Sequence, residues 1–305
     1  MPATPSRSGL LVHTGSYTAD TGGTGIGLAA LRLDPATGAL TDGTGLPELP
    51  VSGPSFLVAH PSGHVVYSTN EAEAGTVSAF ARQPDGALEP LGRPIAGGGS
   101  YPCHLAVHPD GRWLLTANYG MDTGPGTVAV HRLDQDGRPV ELTDVVVHRG
   151  SGPVAGRQQG SHAHQVVVDP SGRFVLAVDL GTDTVFGYRL DTTTGTLAQV
   201  AANRLRAGSG PRHLAFSPEG DRVWIADELS SSVTGLRYDA GTATLTETSS
   251  VRATAHDGHN QPGGIVASPC GRYVWVSNRG ADTVAAFRVS GDSLQPIAET
   301  PSGGE

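Results

Sequence analysis

Apolar and polar residues alternate along this chain in short runs, and the runs recur in a fixed order. Ser161–Leu190, SHAHQVVVDPSGRFVLAVDLGTDTVFGYRL, holds one full copy of the unit. Gln165–Asp169 and Phe174–Val178 are apolar runs joined by Pro-Ser-Gly, where proline presets φ and glycine accepts a positive φ. After a second turn, Thr184–Leu190 alternates apolar and polar side chains as a half-buried strand does. The pattern predicts three antiparallel strands.

The Pro-x-Gly turn recurs in matching context, which makes this unit a repeat. The turn prolines are Pro61, Pro109, Pro170, Pro218 and Pro269, separated by 48, 61, 48 and 51 residues. Each copy continues into a third strand such as TVFGYRLD, and most add a short fourth strand. Four antiparallel strands in a unit of about 50 residues are typical of a β-propeller blade. No segment sustains a 3.6-residue period, which excludes a helical solenoid.

The N-terminal copy lacks its first strand. LLVHTGSYT, IGLAALRLD and GALTD correspond to its second, third and fourth strands. An open blade leaves an unpaired edge, and the chain stops at PSGGE, where another copy is due. We therefore expect an all-β fold, a single β-propeller domain over residues 1–305 with about six blades. A chain truncated at its C-terminus is favoured over an unusual six-bladed ring.

Composition and charge exclude several partners. The 43 glycines and 22 prolines among 305 residues suit many short strands joined by tight turns. A formal charge of −9 is a poor match for nucleic acid or an anionic membrane. No apolar run approaches the roughly 20 residues of a membrane helix, and the N-terminus lacks the apolar segment of a signal peptide. We expect a cytoplasmic protein without nucleic-acid or membrane partners; its oligomeric state is left open.

Blade geometry sorts the polar side chains. The start of a blade's first strand and the end of its second lie on one face, and the Pro-x-Gly turns lie on the other. One rim therefore collects His, Arg, Asn and carboxylates, and we expect a small ligand there. Strand-one starts contribute Pro102, Cys103, His104, His162, His164, Arg212, His213, Gln261 and Pro262. Strand-two ends contribute Asn70, Glu71, Asn118, Tyr119, Asp179, Asp227, Glu228, Asn278 and Arg279. The two cysteines, Cys103 and Cys270, fall on opposite faces, too far apart to bridge.

Four side chains on this rim are the candidates for chemistry. His164 is a general acid/base or, with His162, part of a metal pair; alternatively both histidines cap a strand start. Arg212 and Glu228 act on a ligand, or they form a salt bridge between blades. Arg279, in SNRGAD, has no apolar reason to lie at a strand end.

The candidates for substrate binding are His104, Asn118, Tyr119, Arg157 and His162. The Asn-Tyr pair of TANYG could bind ligand hydroxyls, although an asparagine there also caps turns. The arginine belongs to the insertion TDVVVHRGSGPVAGRQQG, which directly precedes the central histidines. A Gly/Arg/Gln-rich loop of this length is usually functional or disordered, and its position favours function.

Other chemistries lack their motifs. There is no Gly-x-Ser-x-Gly elbow for a nucleophilic serine. There is no GxxxxGK[ST] phosphate loop, and the chain contains no lysine to complete one. The Gly-rich TADTGGTGIG precedes a strand rather than a helix, so it is no dinucleotide fingerprint. No cofactor is therefore expected.

Four motifs together resemble the lactonase family of seven-bladed β-propellers, which includes bacterial 6-phosphogluconolactonase and fungal carboxymuconate lactonising enzymes. They are YPCHLAVHPDGRWLLTANYG, RQQGSHAHQVVVDPSGRFVLAVDLG, GPRHLAFSPEGDRVWIADELSSSV and SNRGADTVAAF. The resemblance covers essentially the whole chain and implies seven four-stranded blades, of which the last and the closing strand are missing here. It also implies a channel-rim active site of His164, Arg212, Glu228 and Arg279. Ser161 stands where the family usually has proline.

By this resemblance we expect a metal-independent hydrolase of a small anionic sugar-acid lactone, most specifically 6-phosphoglucono-δ-lactone, in the pentose phosphate pathway of carbohydrate metabolism. His164 and Glu228 would share proton transfer. Arg212 and Arg279 would bind the anion or stabilise the oxyanion. Two alternatives stay open: an isomerase that closes a muconate to a lactone, and a propeller that only binds a ligand.

Overall fold

Each repeat of the sequence folds into one antiparallel sheet, and in the computed structural model six sheets form the blades of a propeller. The structure describes residues 9–42 and 45–303. The helices in this part of the chain are two 3₁₀ turns, Ala19–Thr21 and Met121–Thr123. Neither is long and apolar enough to cross a membrane.

The strands are numbered in chain order. The first sheet is β1 (Leu10–Gly15), β2 (Leu28–Leu33) and β3 (Leu40–Thr41); the second is β4 (Leu57–Ala59), β5 (Val65–Asn70), β6 (Thr76–Arg82), β7 (Leu88–Pro90) and β8 (Ile95–Ala96). The third is β9 (Pro102–Val107), β10 (Trp113–Asn118), β11 (Thr127–Leu133) and β12 (Pro139–Val147); the fourth is β13 (Ala163–Val168), β14 (Phe174–Asp179), β15 (Thr184–Asp191) and β16 (Thr196–Arg204). The fifth is β17 (Pro211–Phe216), β18 (Arg222–Asp227), β19 (Ser232–Asp239) and β20 (Thr244–Arg252); the sixth is β21 (Gln261–Ala267), β22 (Tyr273–Arg279), β23 (Thr283–Ser290) and β24 (Ser293–Pro301).

The Pro-x-Gly turns are tight, as the sequence predicts. Between β13 and β14, Gly172 adopts φ +70°, which a side chain would strain. The Asp169 carboxylate accepts hydrogen bonds from the backbone N–H groups of Arg173 at 3.0 Å and Phe174 at 2.9 Å. Ser171 Oγ donates to the same carboxylate at 2.7 Å. Side chains of this short polar turn thus accept hydrogen bonds from its backbone N–H groups, and the chain reverses direction into the next strand.

The core lies between neighbouring blades. Every residue of β5, β10 and β14 is buried, because both faces of these strands are covered by adjacent sheets. Trp113 of the third sheet and Val166, Val175 and Tyr188 of the fourth belong to one apolar cluster. Burying each such side chain contributes about 1.5–3 kcal/mol. This packing fixes the angle between blades, and with it the positions of the strand ends.

The first and sixth sheets differ from the rest. In the first sheet, β1 is an edge strand, which confirms that this copy lacks its inner strand. Burial alternates along β22, and Val266, Trp275 and Val284 of the sixth sheet are exposed. No strand pairing joins these two sheets within the residues described. The expected C-terminal truncation of a single 1–305 domain stays a prediction.

Candidate active site

The inner strands of three consecutive blades carry a bulge at the same position. Antiparallel pairing skips Cys103 in β9, His164 in β13 and Arg212 in β17. A bulge places an extra residue on one strand, so that its side chain leaves the regular alternation. In each of these blades the skipped residue lines one cavity. The same bulge in three blades therefore places a thiol, an imidazole and a guanidinium in one cavity.

This cavity has a volume of about 320 Å³ and lies on the rim that the sequence predicts. All four catalytic candidates line it. The full lining is Tyr17, Ser55, Phe56, Glu71, Cys103, Tyr119, Met121, Arg157, His164, Arg212, His213, Glu228 and Arg279. The structure thus brings together side chains that are separated by more than half of the chain.

Three arginines converge on the Glu228 carboxylate. Arg157 hydrogen-bonds Oε1, and Arg279 Nη2 donates to Oε2 at 2.5 Å. Arg212 Nε lies 3.0 Å from Oε2, an ion-pair contact whose angle is too poor for a hydrogen bond. Burial alone would raise the pKa of the Glu228 carboxyl, but the three arginines outweigh it and hold that pKa below its usual range. Glu228 is therefore ionised, and it orients the guanidinium groups.

His164 lies beside this charge cluster. Burial, followed by the charge of Arg212, lowers the pKa of the His164 imidazole well below its ordinary value. Its ring is therefore neutral near pH 7 and able to accept a proton. Cys103 Sγ lies 3.9 Å from Nδ1, and burial raises the pKa of that thiol well above its usual value. The thiol next to the histidine is thus not a ready nucleophile.

Two further neutral histidines lie close to His164. His213 lines the cavity, with its ring centroid 5.3 Å from that of His164. The His104 ring lies between those of Phe56, tilted against it with the centroids 3.8 Å apart, and His213, which meets it edge-on at 5.2 Å. Burial, with Arg212, lowers the pKa of His104 to about 3 and that of His213 well below normal. His104 itself does not line the cavity, and its role in substrate binding stays a prediction.

His162 and Tyr119 support the strand start that presents His164. The rings of His162 and Tyr119 are stacked at 4.3 Å, and His162 Nδ1 lies 3.0 Å from the Tyr119 carbonyl oxygen. The Tyr119 ring also meets His164 edge-on at 5.6 Å. Tyr119 lines the cavity whereas His162 packs behind it. Strict two-residue alternation would point His162 and His164 to one side, but the bulge at His164 interrupts it.

The insertion before the fourth sheet delivers Arg157. Gln158 is buried and anchors the loop, since its Nε2 donates to the Leu180 carbonyl and to Asp183 Oδ1, both at 2.8 Å. Arg157, the residue before it, is one-third exposed and reaches Glu228 across the fourth and fifth sheets. Arg157 thus supports the interpretation of this loop as functional, because its side chain lies in the cavity.

Asn118 is placed differently from the other substrate-binding candidates. Its side chain is fully buried, and Nδ2 donates to the Gly97 carbonyl at 3.1 Å and to Thr127 Oγ1 at 3.0 Å. It ties the third sheet to the loop that precedes it and does not line the cavity. Contact of Asn118 with a substrate stays a prediction that this geometry does not favour.

Glu71 and Tyr17 are polar cavity residues to which sequence reasoning assigned no role. Glu71 was grouped with the strand-two ends, but its context, STNEAE, carries no motif. Tyr17 lies in the loop after β1, in the incomplete first copy, and Tyr17 Oη donates to Glu71 Oε2 at 2.8 Å. The signal available for Glu71 was its equivalence with Glu228, since each is the residue directly after the second strand of its blade.

The structure also bears on the cysteines and on a metal. Cys103 is buried and Cys270 exposed, and both are free, as predicted. Across residues 9–42 and 45–303, no group of three or more His, Cys, Asp or Glu side chains is arranged to hold a metal ion. The described cavity offers the neutral imidazoles of His164 and His213, the carboxyl groups of Glu71 and Glu228, and three guanidinium groups.

Comparison with known proteins agrees with this geometry. The chain matches the family described as "Lactonase, 7-bladed beta-propeller" over residues 11–305. It is 31% identical over 284 residues to the 6-phosphogluconolactonase of Bacillus subtilis, covering 91% of this chain and 77% of that protein. It is 26% identical to the 6-phosphogluconolactonase of Formosa agariphila, over 82% of this chain and 72% of that protein.

Among solved structures, the chain is similar to the periplasmic gluconolactonase PpgL of Pseudomonas aeruginosa. The TM-score is 0.87 at 28% identity, and the match covers 96% of this chain and 83% of that one. The similarity therefore extends over nearly the whole fold and includes the blades that build the cavity.

Proposed function

The chain belongs to the family of seven-bladed β-propeller lactonases, and from that premise we propose that it hydrolyses 6-phosphoglucono-δ-lactone to 6-phosphogluconate. The observation that carries the proposal is the convergence of three arginines on one carboxylate beside a neutral histidine. The named relatives in Bacillus subtilis and Formosa agariphila support the same substrate.

The charge of the cavity favours a phosphorylated lactone. Arg157, Arg212 and Arg279 supply three positive charges, and Glu228 removes one of them. A phosphate monoester carries close to two negative charges at pH 7, so it matches the remaining surplus. Guanidinium groups also bind phosphate in bidentate fashion. Glucono-δ-lactone, which has no phosphate, is uncharged and would leave this surplus unused.

Hydrolysis of a lactone needs an activated water and a stabilised oxyanion. We assign the first task to His164, which is neutral and lines the cavity, and which can take a proton from water as it attacks the lactone carbon. The arginine nearest the carbonyl would stabilise the oxyanion, a contribution worth about 10²–10³-fold per donor. Glu228, held ionised by three cations, serves better to orient them than to accept a proton, which revises the shared role expected from the sequence.

The remaining expectations belong to this proposal. The reaction as written uses no metal and no cofactor, and its partner is the small anionic lactone. We keep the cytoplasm as the proposed compartment, with no nucleic-acid or membrane partner.

The proposal is tested by following lactone decay by NMR with the spontaneous rate subtracted. We expect kcat/KM for 6-phosphoglucono-δ-lactone to exceed that for glucono-δ-lactone by at least tenfold. Equal rates with both lactones would remove the role given to the arginines. Conversion of a carboxymuconate, followed by absorbance, together with no lactone hydrolysis would favour the isomerase instead.

A further inference from the structure

We infer that Glu71, supported by Tyr17, is the general acid that protonates the leaving ring oxygen of the lactone. This inference rests on the proposed function and adds a catalytic residue to it. The two side chains come from the first two sheets, whereas His164 and the arginines come from the fourth, fifth and sixth sheets and their connections. The cavity would then have a proton acceptor and a proton donor on different walls.

Blade symmetry places Glu71 where Glu228 lies in its own blade. Glu71 directly follows β5, and its backbone N–H donates to the Gly53 carbonyl at 2.9 Å. Glu228 directly follows β18, and its N–H donates to the Gly210 carbonyl at 2.7 Å. Both side chains line the same cavity. The fold therefore presents two carboxyl groups to the channel mouth from equivalent backbone positions.

The surroundings of these carboxyl groups differ. Glu228 contacts three guanidinium groups, whereas Glu71 receives hydrogen bonds from two neutral hydroxyls, Tyr17 Oη at 2.8 Å and Ser55. Burial raises the pKa of the Glu71 carboxyl, and the two hydroxyls and the charge of Arg212 offset this only in part. Two carboxyl groups whose environments push their pKa values apart are a recurring basis for separate acid and base roles.

The groups around Glu71 include a neutral thiol, two carboxylates and one guanidinium. The Cys103 thiol, which also lines the cavity, is held neutral by burial. On the other side of Tyr17 and Glu71 lies a groove of about 560 Å³, lined also by Asp20 and Glu73. The charge of Arg212 favours the ionised form of Glu71, whereas burial favours the protonated form.

Atoms and charges balance in the proposed step. Water oxygen bonds to the lactone carbonyl carbon while His164 takes one water proton, giving a tetrahedral oxyanion near the arginines. The bond between that carbon and the ring oxygen then breaks, its electron pair goes to the ring oxygen, and Glu71 supplies the proton that this oxygen needs. The product acid ionises to solvent. The proton on His164 restores Glu71 through water, and both residues return to their starting states.

The test compares Glu71→Gln with Glu73→Gln. The first substitution keeps the size and hydrogen bonding of the side chain but leaves no carboxyl proton to give up, so kcat should fall by roughly 10²–10⁴-fold with little change in KM. Glu73→Gln is the matched control, since that exposed residue lies two positions away and does not line the cavity. Thermal unfolding of both variants is measured to verify that they fold.

The pH profile separates proton donation from a merely structural role. The wild-type rate should fall at high pH as Glu71 ionises, and this limb should vanish in Glu71→Gln. Because the Tyr17 hydroxyl lowers the pKa of Glu71, Tyr17→Phe should move the limb to higher pH. A folded Glu71→Gln enzyme with wild-type kcat and an unchanged limb would overturn the inference, whereas a wild-type protein that hydrolyses no phosphorylated lactone would overturn the proposed function itself.

Discussion

His148 Nδ1 lies 2.7 Å from Asp179 Oδ2, and both side chains are almost completely buried. The other ring nitrogen of His148 meets the Tyr188 hydroxyl at 2.9 Å. Asp179 Oδ1 in turn accepts the backbone N–H of His162 at 2.9 Å. This network connects the end of β14 to the loop that carries Arg157 and to the strand start that presents His164. The network therefore helps to hold both segments of the site in place.

We predict that Asp179→Asn lowers the free energy of unfolding by about 1–3 kcal/mol, because it disrupts a buried hydrogen-bond pair. Urea denaturation of the wild type and the variant measures this change. Asp136→Asn is a suitable control, since this aspartate is exposed in the turn between β11 and β12. Equal midpoints for Asp179→Asn and wild type would show that the pair is not a determinant of stability.

A second prediction concerns Arg157. Its removal should raise KM for 6-phosphoglucono-δ-lactone by roughly 10- to 100-fold. This is the effect of losing one charge-assisted hydrogen bond to the phosphate, which is worth about 1.5–3 kcal/mol. The rate with unphosphorylated glucono-δ-lactone should change much less. Steady-state kinetics of Arg157→Ala with both substrates measure the difference.

Arg149→Ala provides the control for this experiment, because Arg149 belongs to the same loop but is exposed and does not line the cavity. A similar loss in both variants would assign the effect to the charge or folding of the loop. A loss that is equal for the two lactones would contradict phosphate recognition by Arg157.

How far the sequence predicts this structure follows from its repeats. The period of the Pro-x-Gly turns located five of the six blades, and the apolar runs of the N-terminal copy located the first. Blade geometry then brought His164, Arg212, Glu228 and Arg279 to one rim. Both predictions depend only on the order of strands within each blade, and the pattern of apolar residues indicates that order. The sheets, the four-stranded form of the third to sixth sheets and the incomplete first copy are confirmed.

The missed features depend on contacts between blades. Tyr17 reaches Glu71 only because the first sheet packs on the second, and a loop sequence does not record that distance. The bulges in the inner strands break the two-residue alternation, so alternation alone does not locate the side chain of His162 relative to that of His164. Asn118 looked available for ligand, but the backbone of the adjacent loop at Gly97 closes over it.

The third prediction is the pH dependence of the base. Because burial and Arg212 lower the pKa of His164, the neutral imidazole persists below its ordinary pKa of about 6.5. Activity should therefore survive at mildly acidic pH and fall only as His164 becomes protonated at lower pH. Arg212→Gln removes a positive neighbour, so the acid limb of kcat/KM should move to higher pH.

His164→Gln should reduce kcat by roughly 10²–10⁴-fold and abolish that limb. His256→Gln is the matched control, since His256 is exposed in the loop before β21. An acid limb that stays in place in Arg212→Gln and His164→Gln would assign the base to another group.

The fourth prediction uses the two cysteines as reporters of the two faces. Hydrogen bonding by Ser268 and the nearby Arg272 lower the pKa of the exposed Cys270 thiol to about 7. Burial raises the pKa of Cys103 well above its usual value. Because the thiolate is the reactive form, iodoacetamide at mildly alkaline pH should alkylate Cys270 first and leave Cys103 protected, as peptide mass spectrometry can measure.

Lactone hydrolysis should be unchanged, since Cys270 lies in a Pro-x-Gly turn on the face opposite the cavity. Rapid alkylation of Cys103 with parallel loss of activity would mean that the cavity wall opens in solution, and the neutral, buried environment assigned to His164 would then be wrong.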